Sequence, residues 1–335
     1  MIRKIILFLS FVICLALLGG AAILYSFYAH YHAPGALAED QMVLIARGRG
    51  VHAIARDLES AGVIDDVTLF RVAARMRGDQ SSLKAGEYLF PAHIAMRDVF
   101  ERLVAGDVYH RRLTVPEGLT SWQVVQLLNG ADYLSGEPIS DIPPEGTLLP
   151  ETYSFVRGDS RLQVLNRMEN AMRETLAALY DEKGADFPGL DRHEIVTLAS
   201  IIEKETSVSA ERRRVAGVFH NRLRIGMPMQ SDPTVIYALT GGVMKDDGQG
   251  PLGRRLLRSD WQYDSPYNTY KYNGLPPGPI ANPGRASLAA ALDPEEHDYL
   301  YFVADGTGGH AFSRTLEGHN RNVAAWRRFR ASQGE

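Results

Sequence analysis

The feature that most constrains this chain is an uncharged run near its start, IILFLSFVICLALLGGAAILYSFY, from Ile5 to Tyr28. As a helix rising about 1.5 Å per residue it is about 36 Å long, enough to cross a hydrocarbon core of about 30 Å. A cleaved signal peptide is the alternative, but its apolar core is usually about 7–15 residues. The run therefore reads as a retained signal-anchor. Arg3 and Lys4 precede it, and no Lys or Arg follows until Arg47. By the positive-inside rule residues 1–4 form a cytoplasmic tail, 5–28 span the membrane, and the rest is exported. Cys14, the single cysteine, lies inside the span. The exported part thus has no thiol nucleophile, no Cys-ligated zinc and no disulfide. With 45% hydrophobic and 23% charged residues and a net charge of −4, the chain is a globular protein with no electrostatic pull toward nucleic acid.

Residues 29–42, with Pro34 and Gly35, read as a tether. Residues 43–150 carry a weak duplication. VLIARGRGVHAIARDLESAGVI and RLTVPEGLTSWQVVQLLNGADYL each predict a short strand, a glycine turn and an amphipathic helix. Gly48 aligns with Gly118, Ile54 with Val124 and Leu58 with Leu128, and KAGEYLF (Lys84–Phe90) echoes LPETYSF (Leu149–Phe155). Two copies are too few for a solenoid, so a pair of small α/β units is expected.

Residues 151–335 read mainly as helix, which makes the whole α+β. Helical spacing runs from Arg161 to Lys183 and stops at Gly184. Asp191 is a candidate N-cap for a helix reaching about Thr206, and Ser209 for the next, with Arg212 to Arg214 on its polar side. Asp232 before Pro233 reads as a cap followed by a first-turn proline. Gly241 to Gly284 is a long Gly/Pro-rich loop. Its aromatic residues, Trp261, Tyr263, Tyr267, Tyr270 and Tyr272, suggest an ordered, functional segment. Tyr299–Ala304 predicts a buried strand, Asp305–His310 a hairpin turn, and Thr315 to Arg330 a closing helix.

Most catalytic motifs are absent. The sequence has no phosphate loop and no Gly-x-Ser-x-Gly elbow, and Thr197 stands where a second zinc histidine would follow His193-Glu194. Ser81 and Lys84 match Ser-x-x-Lys by spacing only. No metal or cofactor is expected.

Two carboxylates remain, in LASIIEKETS (Leu198–Ser207). At about 100° per residue, Ile195, Val196, Leu198, Ala199, Ile201 and Ile202 form a broad apolar arc. Glu205 projects inside that arc, between Leu198 and Ile201, and Glu203 projects at its other edge. Burial favours the protonated carboxyl, which is what general acid catalysis on a glycosidic oxygen requires. The two acids are two residues apart, on nearly opposite sides of the helix, so they do not form a pair across one sugar. Either one of them works and the other is structural, or both are a helix end paired to Lys204 or to Arg212–Arg214.

LASIIEKET, RRVAGVFHNRLRIGMPMQSDPTVIYAL, SPYNTYKYNGLPPGPIANPG, YLYFVADGTGGHAFSRT and HNRNV closely resemble the endolytic murein transglycosylases of the YceG-like family, in order and spacing. The resemblance implies a LysM-like character for 43–150 and a lysozyme-like catalytic domain for 151–335. It also implies cleavage of the β-1,4 bond between N-acetylmuramic acid and N-acetylglucosamine in nascent peptidoglycan strands. The muramic C6 hydroxyl attacks its own C1 and leaves a 1,6-anhydro end, with one glutamate serving as acid and then base. Lysozyme-like sites read Glu-Ser at a helix end, and Glu205-Thr206 is the nearest equivalent. The resemblance therefore implies Glu205 as the acid/base, with Glu203 as runner-up. GMPMQSDP is similar to the Gly-Leu-Met-Gln segment of those enzymes and PYNTY to their Tyr-Asn motif. Asn221, Gln230, Ser231, Asp232, Tyr267, Asn268, Thr269 and Tyr270 are accordingly candidates to bond or stack on sugars. For the aromatics the alternative is core packing, for Asp232 the helix cap, and Pro276, Pro277 and Gly278 are expected to fix a turn. A bacterial inner-membrane location beside cell-wall synthases follows from the same resemblance. Two other readings stay open: a glycan-binding scaffold without catalysis, and a muramidase using water with Asp260 or Asp264 as second acid.

Overall fold

The computed structural model describes residues 2–78, 82–183, 189–244 and 251–333. Helix α1 (Ile2–His32) begins before the expected span and ends after it. It is long and apolar enough to cross a membrane, and its apolar window is unburied within the protein. Pro34 sits just beyond its end, where a helix cannot easily continue. The residues expected as a tether are packed rather than free. Tyr31 and Leu37 are buried in the first core, and the Gly35 amide donates to the carbonyls of His93 and Ile94, both at 3.2 Å. A Cβ on Gly35 would lie 2.4 Å from the Ile94 oxygen, so only glycine permits this approach.

The chain divides into two compact units, Met1–Arg111 with Phe155–Gly158, and Arg112–Ser154 with Asp159–Glu335. In the first, β1 (Gln41–Ile45) pairs antiparallel with β2 (Gly86–Phe90), Val43 opposite Tyr88. Helices α2 (Val51–Ser60), α3 (Val67–Met76) and α4 (Met96–Ala105) belong to the same unit. Ile54, Leu58, Phe70, Tyr88, Phe90, Phe100 and Leu103 fill its core. Asp66 caps α3 by accepting from the Thr68 and Leu69 amides. Glu87, on β2 and only 4% exposed, is neutralised by Arg111 at 2.8 Å and Arg157 at 2.9 Å. This is the pairing a buried carboxylate needs.

The second unit opens with the second copy of the duplication. β3 (Arg111–Thr114) pairs with β4 (Thr152–Phe155), and α5 (Ser121–Asn129) lies between them in sequence. The aligned positions correspond. Gly48 and Gly118 both adopt left-handed backbone, at φ 79° and 76°, and Ile54, Leu58, Val124 and Leu128 are all buried. The unit boundary nevertheless falls within β3, not at residue 150, so the second copy belongs to the body that holds residues 159–333. The reason is Asn282, which is fully buried. Its carbonyl accepts from the Gly118 amide, its amide donates to Leu119, its Oδ1 accepts from Leu148, and its Nδ2 donates to Leu119 and to Ser121 Oγ.

The remainder is mainly helical: α6 (Arg161–Lys183), α7 (Arg192–Glu205), α8 (Arg212–Arg224), α9 (Asp232–Thr240), α10 (Arg285–Leu292) and α11 (Leu316–Ser332). Gly184 lies outside the described residues, as does Ser81, leaving Lys84 to donate to the Ala105 carbonyl at 2.9 Å. Helix α7 is the centre of the second core. Every residue from Ile195 to Ile202 is buried, among residues of α6, α8 and α10, with Met229 from the α8–α9 connection and Ile280 from the segment before α10. Ser209 caps nothing; it starts a single 3₁₀ turn before α8. Strands β5 (Tyr301–Ala304) and β6 (His310–Ser313) form the expected hairpin across Asp305–Gly309. β5 is half-exposed along its length rather than buried, because a two-stranded ribbon has no second sheet to cover it.

Candidate functional site

Helix α7 is fixed at both ends. Asp191 and Glu194 form a reciprocal capping box, each side chain on the other's amide at 2.8 Å. Near the far end, Ser200 Oγ donates to the Thr197 carbonyl and accepts from the Ile280 amide at 3.0 Å. The last helical residue is Glu205, and Thr206 leaves the helix in extended conformation.

The two acids of LASIIEKETS separate into different surroundings. Glu203 accepts the Gly284 amide at 2.9 Å and pairs with Arg212 at 3.4 Å, and Arg212 also reaches Glu117 at 3.2 Å. It anchors the start of α10 to the end of α7. Between the two acids Lys204 donates to the Gly118 carbonyl at 3.2 Å. Glu205 has no cationic partner within ion-pair distance among the described residues. Its Oε1 accepts from Ser231 Oγ at 2.5 Å. Burial pushes its carboxyl up to about 6, opposed by the Ser231 hydrogen bond. The charge of Asp232 adds to the rise, and His310 and Arg222 favour the carboxylate.

Ser231 is held from below. Its amide donates to Thr269 Oγ1 at 3.1 Å, and Thr269 Oγ1 meets Thr234 Oγ1 at 2.8 Å. The preceding residue, Gln230, has φ 50°, an uncommon conformation for a residue with a side chain, and its amide bonds the Thr269 carbonyl at 3.2 Å. Such outliers persist where the surroundings over-determine them. Here the outlier turns Ser231 toward Glu205. Asn268 is fully buried, with Nδ2 donating to the carbonyls of Trp261 and Tyr263 and Oδ1 accepting from Tyr270. Asn268 and Thr269 are therefore scaffold that shapes the loop.

Asp232 does not cap α9. It is the first helical residue, the N-cap is Ser231, and neither side chain bonds the helix amides as a cap. Asp232 Oδ1 instead accepts from Tyr270 Oη at 2.8 Å and Trp261 Nε1 at 3.1 Å. The two rings stack 4.8 Å apart at 8°. Local propensity favours a cap at this position, but two tertiary donors win.

Two further candidate residues have partners within the protein. Asn221 donates to the carbonyls of His297 at 2.6 Å and Tyr299 at 3.1 Å, tying that segment to α8. Tyr267 packs on Tyr237, with ring centroids 4.8 Å apart. A Cβ on Gly278 would lie 3.3 Å from the Tyr267 hydroxyl, a tight contact that the side chain would have to ease by a few tenths of an ångström. Pro277, as expected of a turn residue, offers its carbonyl to His193 Nε2 at 2.8 Å. Asp260 is engaged by Arg254 and the Leu257 amide, which hold its carboxyl down at about 2. Asp264 is exposed and bonded to Lys271 and Tyr272, which lower it.

Sequence reasoning missed three contributors. His310 Nδ1 meets Glu211 Oε2 at 2.7 Å, and its amide donates to the other oxygen at 3.0 Å. Arg222, 7% exposed, donates to the carbonyls of Leu300 at 2.7 Å and Met229 at 2.5 Å. Trp261 was noted only as loop content, yet it fixes Asp232. A second carboxyl, Glu145, is pushed up by burial to about 7. It accepts the Ser121 amide at the start of α5 at 2.8 Å, and its charge is felt by Tyr237 and Tyr267 rather than by Glu205.

Comparison with known proteins agrees with the motif resemblance. The profile of the YceG-like family matches residues 43–325. A Bacillus subtilis protein named endolytic murein transglycosylase is 33% identical over 83% of this chain and 82% of its own length. A Streptococcus pneumoniae protein of the same name is 31% identical over 84% of this chain, which spans 57% of that relative. A crystal structure of a yceG-like protein from Listeria monocytogenes superposes with TM-score 0.51 and 33% identity, covering 85% of this chain and 99% of that one. With a profile match over most of its length and relatives at this identity, the chain belongs to the YceG-like family.

Proposed function

We propose that the chain is a membrane-anchored lytic transglycosylase that cuts peptidoglycan strands internally, with Glu205 as its single acid/base. The relatives named endolytic murein transglycosylase support the reaction class, a lyase acting on peptidoglycan. The observation that carries the assignment is the contrast between the two acids. Glu205 has a buried carboxyl that titrates near 6 and bonds a hydroxyl. Glu203 is committed to Arg212 and the Gly284 amide.

The chemistry follows from that carboxyl. Protonated Glu205 gives its proton to the glycosidic oxygen between N-acetylmuramic acid and N-acetylglucosamine as the C1–O bond breaks. The muramic O6 then bonds to C1, its proton passes to the Glu205 carboxylate, and a 1,6-anhydro end is left with no water consumed. A group titrating near 6 serves both steps, because neither protonation state is far from neutral pH. The route needs no second carboxylate across the sugar, and Asp260 and Asp264 are engaged within their own loop. Helix α1 acts as signal-anchor, with Arg3 and Lys4 on the cytoplasmic side and the chain beyond the helix exported. Cell-wall synthases at the same membrane are the expected neighbours.

The test is product analysis by mass spectrometry on purified glycan strands, with Glu205→Gln alongside. Anhydro-muramic ends from the native protein, and none from Glu205→Gln, are expected. Reducing muramic ends would make it a muramidase, and unchanged strands a binding scaffold. Full cleavage by Glu205→Gln, with loss only in Glu203→Gln, would reverse the assignment.

A further inference from the structure

Asp232 and Ser231 start α9, the place where a serine or aspartate normally caps helix amides. Both are withheld from that task. Ser231 turns to Glu205, and Asp232 turns to a stacked indole–phenol pair that supplies two donors to one carboxylate oxygen. With both lone pairs of Oδ1 used, Oδ2 has no hydrogen bond among the described residues, and the residue is exposed. The outcome is an immobilised carboxylate oxygen beside half-buried aromatic surface, one residue from the hydroxyl that bonds Glu205. It lies close enough that its charge is felt at that acid.

We propose that Asp232 receives the 2-acetamido N–H of the sugar bound next to Glu205, which makes it a specificity-determining residue. The inference rests on the glycan-cleaving reading above. The sugars of this substrate offer hydroxyls and acetamides, and the muramic sugar also an O3-lactyl group. Of the groups carried by both sugars only the acetamide joins an N–H donor to an apolar methyl, and the site joins a fixed acceptor to the Trp261 and Tyr270 rings. Hydrogen bonds to a charged acceptor are the strong ones, and an acceptor already held in one rotamer loses little entropy on binding. A purely structural Asp232 would only pin the loop at 258–272 to α9.

The experiment is a two-by-two comparison with full-length protein in detergent. Cleavage is measured on glycan strands and on the same strands chemically de-N-acetylated, for the native protein and for Asp232→Ala; re-acetylated strands serve as control. The free amine is charged at neutral pH, so the readout is the change in the acetamide-to-amine ratio of kcat/KM, not its sign. That ratio is expected to differ between native protein and variant by at least about tenfold, the size of one good polar contact. Tyr270→Phe, which removes one of the two donors holding Oδ1, is expected to shift it less. Equal ratios in native protein and Asp232→Ala overturn the proposal. Should the alanine variant melt early, Asp232→Asn keeps the volume and takes its place under the same criterion. Native protein that cleaves neither substrate refutes the glycan-cleaving reading instead.

Discussion

Replacing Ser231 with alanine isolates the one hydrogen bond that opposes the burial of Glu205. The Ser231 hydroxyl donates at 2.5 Å and stabilises the carboxylate over the acid. Hydrogen bonds to charged groups contribute about 1.5–3 kcal/mol. The protonated carboxyl keeps part of that interaction through its carbonyl oxygen, so roughly half is differential between the two states. One pKa unit corresponds to about 1.4 kcal/mol, so the carboxyl should rise by about one unit from its position near 6. The assay is the pH dependence of strand cleavage. Glu205 acts first as an acid, so the alkaline limb of kcat/KM reports its loss of a proton. In Ser231→Ala that limb should move about one unit toward alkaline pH. The maximum should also fall, because the acid is held less rigidly. A limb that stays in place, or moves toward acid, would refute both the direction of this hydrogen bond and the assignment of the limb to Glu205.

Glu203→Gln should keep a measurable part of the cleavage activity and lower the melting temperature, since among the described residues it leaves Arg212 with only the exposed Glu117 as acidic partner and weakens the Gly284 contact; complete loss of activity in a fully stable variant contradicts its anchoring role. Glu205→Gln should be more stable than the native protein near pH 7 by up to about 2 kcal/mol, from a rise of about 1.5 units, and the difference should vanish in acid. The sign is fixed because a raised folded-state value means the native carboxyl contributes stability below its unfolded value near 4.5, and that contribution is lost as pH rises through about 6. Urea melts of both proteins at pH 4 and pH 7 check it.

What the sequence made legible was local. The Asp191 cap, the run to Thr206 and the 100° rotation per residue were enough to place Glu203 and Glu205 on different faces. The two-copy alignment was also local, and the Gly48 and Gly118 it pairs both adopt left-handed backbone. What escaped it was long-range. Glu211 and His310 meet across 99 positions, and Asn282 reaches Ser121 across 161. Asn221, Asn268 and Thr269 show a second limit. A polar residue in a loop motif reads the same whether it faces a sugar or satisfies buried carbonyls, and in this fold the three serve the backbone. Asp232 shows a third: at a helix start the cap is the local expectation, and only Tyr270 and Trp261, 38 and 29 positions away, overrule it.

The position of Glu205 as the last residue of α7 has its own electrostatic logic. A helix C-terminus carries partial negative charge, which disfavours a carboxylate in the last turn. Glu203 shares that turn and is compensated by a guanidinium and a backbone amide. Among the described residues Glu205 is compensated only by a neutral hydroxyl and by the more distant charges of His310 and Arg222, while Asp232 works against it. Burial, helix end and Asp232 hold the proton on, and Ser231, Arg222 and His310 ease it off. Removing the second group would leave an acid slow to recover as a base, and removing the first would leave an ordinary carboxylate unable to protonate a leaving oxygen. A one-glutamate cycle requires both halves of this balance, and the segments carrying Ser231, Arg222 and His310 converge on the end of α7 to provide it.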